Sequence, residues 1–368
     1  MSINWEFKVL KKIKKIFILS GQNVIKKKNT ILFINKFFKK DDKDIKIYVK
    51  KNFLPDIKEL TKIVYEIKSY KPDLIVAIGG GGVIDYSKIA NGVIHIKKID
   101  SILKKKVKFK KFTKLLTVPT TAGSGAEVTP GAVLYKNKIK YNLKDKCLIP
   151  DNYLLYPPLI VGTHRELKAS SIFDSLCQSI ESLISLKSNK ISQKNSLNSI
   201  SLILKNYKNF LRKNEYKTIK KIQIAANFSG KAISVTSTGA PHALSYYLSS
   251  NFGLYHGTSV MFFLPTILEY NFKNKNILKK IERKKFDLRI DLLKKVFGVK
   301  SDSKILEKIK SIIKYSKVSM TIKKKSINID RQKKSINLNR LENNPVPISY
   351  SEILKFNNKV FLWSHSVK

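Results

Sequence analysis

A buried strand that runs into four consecutive glycines and then into a helix constrains this fold more than any other segment. The stretch is DLIVAIGGGGVIDYSKIANGV, in which Gly79–Gly82 follow an apolar run. Glycines at such a turn let the backbone approach a diphosphate, and the helix N-terminus adds N–H donors and the positive end of the helix dipole. The spacing matches neither GxGxxG nor GxxxxGKS, so nucleotide binding and a plain tight loop both remain open here.

Alternating strand and helix patterns around this segment predict a doubly wound parallel sheet. Residues 15–21 (KIFILSG) and 44–52 (DIKIYVKKN) have the β-branched and aromatic composition of strands, and NTILFINKFF between them fits a helix or a strand. Residues 56–70 carry apolar side chains at helical spacing, and that helix should end before Pro72. This alternation is typical of an α/β domain.

A second turn, rich in hydroxyl side chains, follows the strand in KFTKLLTVPTTAGSGAEVTP. It contains Thr120, Thr121 and Ser124. Both turns lie at the carboxyl ends of predicted parallel strands, where open α/β sheets bind their ligands. We therefore predict that the two turns bind a nucleotide, with two purely structural loops as the alternative.

After about residue 158 the sequence has few strand patterns. Segments such as ELKASSIFDSLCQSIESLIS and TIKKIQIAANFSGKAIS show helical periodicity instead. The sequence therefore predicts two domains, an α/β nucleotide-binding domain over 1–157 and an all-α domain over 158–368. At about 150 residues per domain, the length of the chain agrees with two. The Lys- and Asn-rich residues 273–345 are predicted to be helices with eroded surfaces.

Histidine is scarce in the chain, and two of its five histidines bracket one segment. His242 and His256 flank ALSYYLSSNFGLY, and upstream Asp174 and Gln178 are spaced i, i+4, on one face of a predicted helix. Imidazole and carboxylate groups suit divalent ions such as Fe²⁺ and Zn²⁺. Because a buried histidine is more often a core residue than a ligand, the spacing alone leaves both interpretations open.

Composition narrows the choice of partners and compartment. The 73 Lys and Arg residues outnumber 26 acidic residues, but they are spread over nearly every polar segment. That spread favours compositional drift over nucleic-acid binding, although a net charge of +47 would attract anionic substrates. Only two cysteines, Cys147 and Cys177, occur, which excludes a disulfide framework and fits a reducing cytoplasm. No apolar run approaches the ~20 residues of a membrane span, so no membrane partner is expected.

Four motifs in order give the chain a resemblance to the iron-containing (group III) alcohol dehydrogenases. GGGGVIDYSK (79–88) is similar to that family's GGGSxxDxAK, and PTTAGSGAEVT (119–129) to its PTTAGTGSEVT. FDSLCQSIES (173–182) and HALSYYLSSNFGLYHG (242–257) correspond to its D-A-L-x-H-A-I-E and H…PHG segments. The resemblance covers about residues 12–272 well and the rest poorly, although NNPVPISYSEIL near the end is also similar.

The resemblance implies a dehydroquinate synthase-like architecture, with the active site in a cleft between an α/β domain and an all-α domain. It implies hydride transfer between NAD(P)H and a carbonyl, with His242 and Tyr246 as catalytic candidates. The implied metal ligands are Asp174, Gln178, His242 and His256. The implied cofactor-binding residues are Gly21, Gly80, Gly81, Gly82, Asp85, Thr120, Thr121 and Ser124.

Three positions depart from the family pattern. Gln178 stands at a ligand position where most members have His, and because an amide oxygen is a poorer ligand, weak metal binding or metal-free catalysis is left open. Tyr246 stands where many members have another His, and it could relay a proton or simply pack. Gly21 stands where NAD-preferring members carry Asp; the absence of that Asp permits NADPH, which is slightly favoured, and the choice between NADH and NADPH is left open.

The segments SLCQSIES and GAPHALSYYLSS resemble the phosphonoacetaldehyde reductase branch, which reduces phosphonoacetaldehyde to 2-hydroxyethylphosphonate. A phosphonate needs cations or N–H donors, and Arg165 and Lys168 are the candidates. The alternatives are a generic metal-dependent alcohol dehydrogenase or aldehyde reductase, and a non-catalytic relic of the fold. A homodimer is left open. Glu181, three residues beyond Gln178, could contact the metal ligands or be a surface charge, and a surface charge is expected.

Overall fold

The computed structural model describes residues 13–39, 43–52, 54–104, 107–137, 139–318, 332–333 and 335–356. The chain divides into two compact units. The first comprises residues 1–121 and 126–161, and the second comprises residues 122–125 and 162–368. The middle of the Thr/Ser turn therefore groups with the second unit, although its flanks belong to the first.

The first unit is built on a five-stranded parallel sheet. Its strand order is β2-β1-β3-β4-β7, with β1 Lys15–Gly21, β2 Asp44–Lys50, β3 Leu74–Gly79, β4 Lys114–Pro119 and β7 Asn152–Tyr153. The inner strands are buried on both faces, which accounts for their continuous apolar sequences. The predicted parallel α/β sheet is confirmed.

Helices cover this sheet, and their ends follow from local sequence. They are α1 Gln22–Ile25, α2 Lys28–Phe37, α3 Ile57–Tyr70 and α4 Gly81–Val93. The ambiguous segment NTILFINKFF is thus a helix. At the start of α3, the Asp56 side chain accepts a hydrogen bond from the amide of Lys58; at its end, Lys71 adopts a left-handed conformation before Pro72.

Alternating residues of β1 supply the core on the two faces of the sheet. Phe17 and Leu19 pack on one side with α3 and α4, while Ile16 and Ile18 pack on the other with α2. The same alternation continues along β3 and β4. This period of two is what a strand buried on both faces requires.

The sequence analysis did not anticipate an antiparallel hairpin between β4 and β7. It pairs β5 Gly131–Lys136 with β6 Ile139–Lys144. The backbone amide of Val133 donates a 3.1 Å hydrogen bond to the Asp85 carboxylate, which ties the hairpin to α4. Asn137 has the positive φ of a tight turn. Because asparagine is one of the residues that favour this conformation, its presence was a sequence signal for the turn.

Lys88 on α4 fastens the segment between the Thr/Ser turn and this hairpin. Its side chain is 1% exposed, and its ammonium donates to the carbonyl oxygens of Ala126, Thr129 and Gly131. Burial lowers the pKa of Lys88 to about 8, although nearby acidic groups act in the opposite direction. Keeping the Lys88 ammonium charged in this buried position therefore costs folding free energy.

The second unit is helical, as predicted. Its helices are α5 Arg165–Ile184, α6 Lys190–Arg212, α7 Tyr216–Thr236, α8 Ala240–Phe252, α9 His256–Asn274, α10 Lys280–Phe297, α11 Asp302–Ser316 and α12 Leu338–Leu341. Helix α5 is buried from residue 168 to its end, because α6, α7 and α9 pack around it. No helix in the described part of the chain is both long and apolar enough to cross a bilayer.

Lys88 should leave a signature in the pH dependence of stability. Its folded-state pKa lies below the ordinary 10.5, so between about pH 8 and 10.5 the unfolded chain binds more protons. The free energy of unfolding should therefore rise with pH in this window, by up to about 3 kcal/mol relative to Lys88→Met. Denaturant unfolding at pH 7.5 and 10 measures this difference. The control variant Lys98→Met, at an exposed site, should show the same pH dependence of the unfolding free energy as the wild type. If Lys88→Met also shows that pH dependence, the assignment to Lys88 is wrong.

Candidate functional site

Three ligand-type side chains from three helices of the second unit converge. They are Asp174 on α5, His242 on α8 and His256 at the start of α9. One donor atom from each lies within 4.8 Å of the other two. Asp174 and His242 are buried, at 6% and 1% exposure. The structure thus brings together three of the four residues that were predicted to bind a metal.

Gly257 permits this convergence because it lets α9 approach α5 closely. A Cβ atom at this position would lie 1.9 Å from the carbonyl oxygen of Ser170 and 2.9 Å from Cβ of Asp174, so only glycine fits. The amide of Thr258 also donates to the Ser170 hydroxyl, at 3.2 Å. Since His256 precedes Gly257, this approach sets the imidazole beside Asp174.

Glu181 holds His242 in position. One carboxylate oxygen lies 2.8 Å from Nδ1 of His242, and the other accepts a hydrogen bond from the amide of Gly239, immediately before α8. Glu181 is 3% exposed, so the expectation of a surface charge is wrong. The available signal was its spacing: Asp174, Gln178 and Glu181 follow the i, i+4, i+7 pattern of one helix face.

These contacts set the protonation of the cluster. Burial lowers the pKa of His242, but Glu181 and Asp174 raise it more, so the net shift is upward. Burial raises the pKa of Asp174, but His242, His256 and Gln178 together bring it below its usual value. The second ring nitrogen of His242, Nε2, lies 3.2 Å from Asp174 Oδ1.

The donor set fits a divalent metal ion. With Nδ1 of His242 donating to Glu181, Nε2 is the atom that points at Asp174, and a cation can replace its proton. One carboxylate and two imidazoles are suitable ligands for Fe²⁺ and Zn²⁺. Asp174, His242 and His256 are therefore the residues that could hold such an ion.

Gln178 lies beside the cluster with its amide nitrogen facing it. Nε2 donates to Oδ1 of Asp174 at 3.0 Å and to the carbonyl oxygen of Ser124 at 3.3 Å, while Oε1 accepts from the Ser229 hydroxyl. In this orientation the amide acts as a hydrogen-bond donor to Asp174. A fourth ligand at Gln178 stays a prediction, and it requires the amide group to turn over.

Tyr246 packs against the cluster. Its ring stacks on His256 with centroids 6.3 Å apart, and the ring of His256 meets that of His242 edge-on at 5.3 Å. Tyr246 is 3% exposed. Both catalytic candidates, Tyr246 and His242, therefore lie at the three-residue cluster.

The two candidate phosphonate-binding cations are engaged elsewhere. The guanidinium of Arg165 donates to the backbone oxygens of Leu211, Tyr315 and Ser316. The ammonium of Lys168 donates to Asn214 Oδ1 at 2.8 Å. Both side chains thus join helix α5 to neighbouring segments, and the geometry gives their predicted substrate role no support.

In the first unit the two predicted nucleotide-binding turns are adjacent. Gly80 precedes the first residue of α4, and the amide of Thr120 donates to the carbonyl oxygen of Gly79 at 3.0 Å. A Cβ atom at Gly80 would lie 3.3 Å from the side chain of Thr121. The first turn of α4 contains no acidic residue, so an anion at this helix N-terminus meets no repulsion from it.

The other predicted cofactor residues fall into two groups. Gly21 ends β1 at the same edge of the sheet, and a Cβ atom there would lie 3.9 Å from Val83 of α4; Gly81 and Gly82 open that helix. Asp85, in contrast, binds the hairpin through Val133, and Ser124 belongs to the second unit, where its carbonyl oxygen binds Gln178.

Two family models match successive parts of the chain in the expected order. The model described as iron-containing alcohol dehydrogenase matches residues 2–157, and the C-terminal model of the Fe-containing alcohol dehydrogenase family matches residues 168–358. The chain belongs to the iron-containing alcohol dehydrogenase family. The resemblance of its four motifs is thereby confirmed.

Curated relatives of this alcohol dehydrogenase family have several named activities. The chain is 30% identical to the 4-hydroxybutyrate dehydrogenase of Clostridium kluyveri over 67% of its length and 71% of that protein. It is 30% identical to the phosphonoacetaldehyde reductase of Streptomyces viridochromogenes, over 56% of the chain and 55% of that protein. The match to the aldehyde-alcohol dehydrogenase of Streptococcus pneumoniae is 27% identical and covers 59% of the chain but only 26% of that longer relative.

Solved structures share the fold. The iron-containing alcohol dehydrogenase of Thermococcus thioreducens superposes with a TM-score of 0.85 at 20% identity, covering 97% of this chain and 95% of that one. The sulfoacetaldehyde reductase of Bifidobacterium kashiwanohense, solved in complex with NAD⁺, superposes with a TM-score of 0.81 at 18% identity, covering 98% and 93%. The α/β plus helical architecture is therefore that of the family.

Removing the charge of Glu181 should weaken metal binding. In Glu181→Gln the amide keeps the shape but cannot accept from both His242 and Gly239, so we expect affinity for Zn²⁺ to fall about 10- to 100-fold. Competition with a chromogenic chelator measures the dissociation constant. Glu166→Gln, an exposed change on the same helix, is the matched control. Equal affinities for the two variants would contradict the role of Glu181.

Introducing histidine at position 178 should have the opposite effect. An imidazole is a stronger ligand for Fe²⁺ and Zn²⁺ than an amide oxygen, so Gln178→His should raise metal affinity at least about tenfold. The same competition titration applies, with Gln193→His on α6 as a control that adds histidine elsewhere. If Gln178→His binds the metal no more tightly than the wild type, the metal does not bind beside Gln178.

Proposed function

We propose that this protein reduces an aldehyde to a primary alcohol with NAD(P)H, using a divalent metal ion held by Asp174, His242 and His256. The observation that carries the proposal is the convergence of these three side chains in a chain of this family. Membership of the family supports an oxidoreductase, and the glycine turn before α4 supports a dinucleotide cofactor.

The two bound groups would supply the reactive chemistry. A metal ion held by the cluster would polarise a carbonyl oxygen as a Lewis acid, and a bound reduced nicotinamide would supply the hydride. The chain's own residues do the positioning: Glu181 keeps Nε2 of His242 directed at Asp174, and Gly257 keeps His256 beside it. Tyr246, stacked on His256, is the candidate proton donor to the product oxygen.

The cofactor we favour is NADPH. Gly21, at the end of β1, provides no carboxylate to repel a 2′-phosphate. The adjacent glycine turn at Gly80 and the neighbouring Thr120 support diphosphate binding there.

The substrate we propose is a short aldehyde with a terminal oxyanion, with phosphonoacetaldehyde as the leading member. Three similar proteins are named for short compounds with a terminal oxyanion: the alcohol 4-hydroxybutyrate carries a carboxylate, and the aldehydes phosphonoacetaldehyde and sulfoacetaldehyde carry a phosphonate and a sulfonate. The net charge of +47 favours the approach of such anions. A place in phosphonate biosynthesis would follow, and two free cysteines favour the cytoplasm.

A generic alcohol dehydrogenase is the second candidate. It is favoured by the aldehyde-alcohol dehydrogenase relative, which matches 59% of the chain. The two candidates differ in whether a terminal charge on the aldehyde matters, so a comparison of charged and neutral substrates separates them.

The test is oxidation of NADPH and NADH at 340 nm with phosphonoacetaldehyde, succinic semialdehyde and butanal. We expect turnover to require added Fe²⁺ or Zn²⁺ after chelation, to favour NADPH, and to favour the two anionic aldehydes. His256→Ala should abolish the metal-dependent activity, because it removes one of the three ligands. Equal turnover of butanal would select the generic enzyme, and no oxidation under any condition would overturn the enzymatic proposal.

A further inference from the structure

Two adjacent asparagines near the end of the chain are buried, although nothing said so far gives them a role. They open the segment NNPVPISYSEIL, and Asn343 and Asn344 are 3% and 4% exposed. A buried side-chain amide is stable only when its N–H groups and its oxygen are hydrogen-bonded. The partners of each asparagine therefore show which parts of the fold it holds together.

Asn343 joins the end of helix α5 to the turn that leads into helix α8. Its Nδ2 donates to the carbonyl oxygens of Thr236 and Thr238, at 2.9 and 3.0 Å. Its Oδ1 accepts a 2.8 Å hydrogen bond from the hydroxyl of Ser185, the residue at which α5 ends. One side chain thus connects the two helices that supply two of the three candidate metal ligands.

The peptide group between Thr238 and Gly239 carries this contact to the candidate metal ligands. Its carbonyl oxygen accepts from Asn343, and its N–H donates to one oxygen of Glu181. The other oxygen of Glu181 binds Nδ1 of His242. Because a trans peptide group is planar and its C=O and N–H point in opposite directions, holding the oxygen also directs the N–H. Hydrogen bonds on the two sides of one polar group also strengthen each other.

The turn that Asn343 holds contains a strained residue. Ser237 has a φ of 66° and a ψ of −180°, a combination found almost only at glycine. Such a conformation persists only where the surroundings enforce it. The two carbonyl oxygens that Asn343 binds lie on either side of Ser237, so these hydrogen bonds supply the constraint.

We propose that Asn343 is a positioning residue for the metal site: it holds Glu181 in place and, through Glu181, the imidazole of His242. The inference rests on the proposed function in taking the three-residue cluster as a metal site. Without the amide of Asn343 the strained turn relaxes, and the N–H of Gly239 moves away from Glu181. The imidazole of His242 then loses the fixed orientation that a metal ligand needs.

Replacement of Asn343 should lower metal affinity. For Asn343→Ala we expect the dissociation constant for Zn²⁺ to rise about 10-fold or more, as is typical when the groups that orient a ligand are removed. Competition with a chromogenic chelator measures it. An unchanged affinity in Asn343→Ala would overturn the proposal.

Asn344→Ala is the matched control, because the neighbouring asparagine is as buried and has as many hydrogen bonds. Its side chain exchanges two hydrogen bonds with Asn271, near the end of α9 remote from the cluster, and donates to the carbonyl oxygen of Val346. Both variants should unfold at lower denaturant concentration, but Asn344→Ala should bind Zn²⁺ as the wild type does. Equal losses of Zn²⁺ affinity in the two variants would show a general effect of packing and refute the role of Asn343.

Relief of the strain at Ser237 should rescue the variant. Glycine adopts the conformation of this residue without steric cost, so Ser237→Gly added to Asn343→Ala should recover most of the lost Zn²⁺ affinity. Ser237→Gly alone should bind Zn²⁺ as the wild type does. A double variant that binds as weakly as Asn343→Ala would refute the route through the turn.

A measurement on the metal-free protein separates this inference from the proposed function. In protein labelled with ¹⁵N-histidine, the Nδ1–H of His242 that binds Glu181 should give a downfield, slowly exchanging proton signal. The signal should persist in Asn344→Ala and be lost to solvent exchange in Asn343→Ala. If the wild type binds no Zn²⁺, the metal-dependent function fails, but this signal still decides on Asn343: its persistence in Asn343→Ala would refute the inference.

Discussion

The carboxylate of Glu181 is the interaction on which the rest of the candidate site depends. One of its oxygens binds Nδ1 of His242, and the other binds the backbone amide that opens helix α8. The same buried charge therefore orients a metal ligand and fixes the helix that carries it. A carboxylate at 3% exposure is costly unless it is hydrogen-bonded, and each of its two oxygens makes one hydrogen bond here.

Two glycines complete the candidate site by letting backbone segments approach each other closely. Glycine at 257 brings α9 against the turn of α5 that bears Asp174, and glycine at 125, with a φ of +59°, brings the Thr/Ser turn against the carbonyl oxygen of Ala226. Neither position tolerates a side chain. The motifs of this family thus combine residues that can perform chemistry with small residues that allow the backbone segments to meet.

The strands and helices were largely predictable because their signals are local. The strand at Lys15–Gly21 and the helix ending before Pro72 match the sequence analysis. The hairpin at Gly131–Lys144 was missed because its strands are short and alternating, and the glycine turns before them gave the stronger sequence signal. The metal-binding candidates followed from motif order, and the helical spacing of Glu181 was a signal for its burial, whereas its hydrogen bonds to His242 and Gly239 depend on long-range packing that spacing does not encode.

The most direct test of the account is X-ray absorption at the Zn edge for protein loaded with one equivalent of Zn²⁺. The account predicts scattering from two imidazole nitrogens at about 2.0–2.1 Å together with a carboxylate oxygen, contributed by His242, His256 and Asp174. A spectrum with sulfur in the first shell, or without two imidazoles, would contradict it. So would an unchanged spectrum after replacement of His256 by alanine.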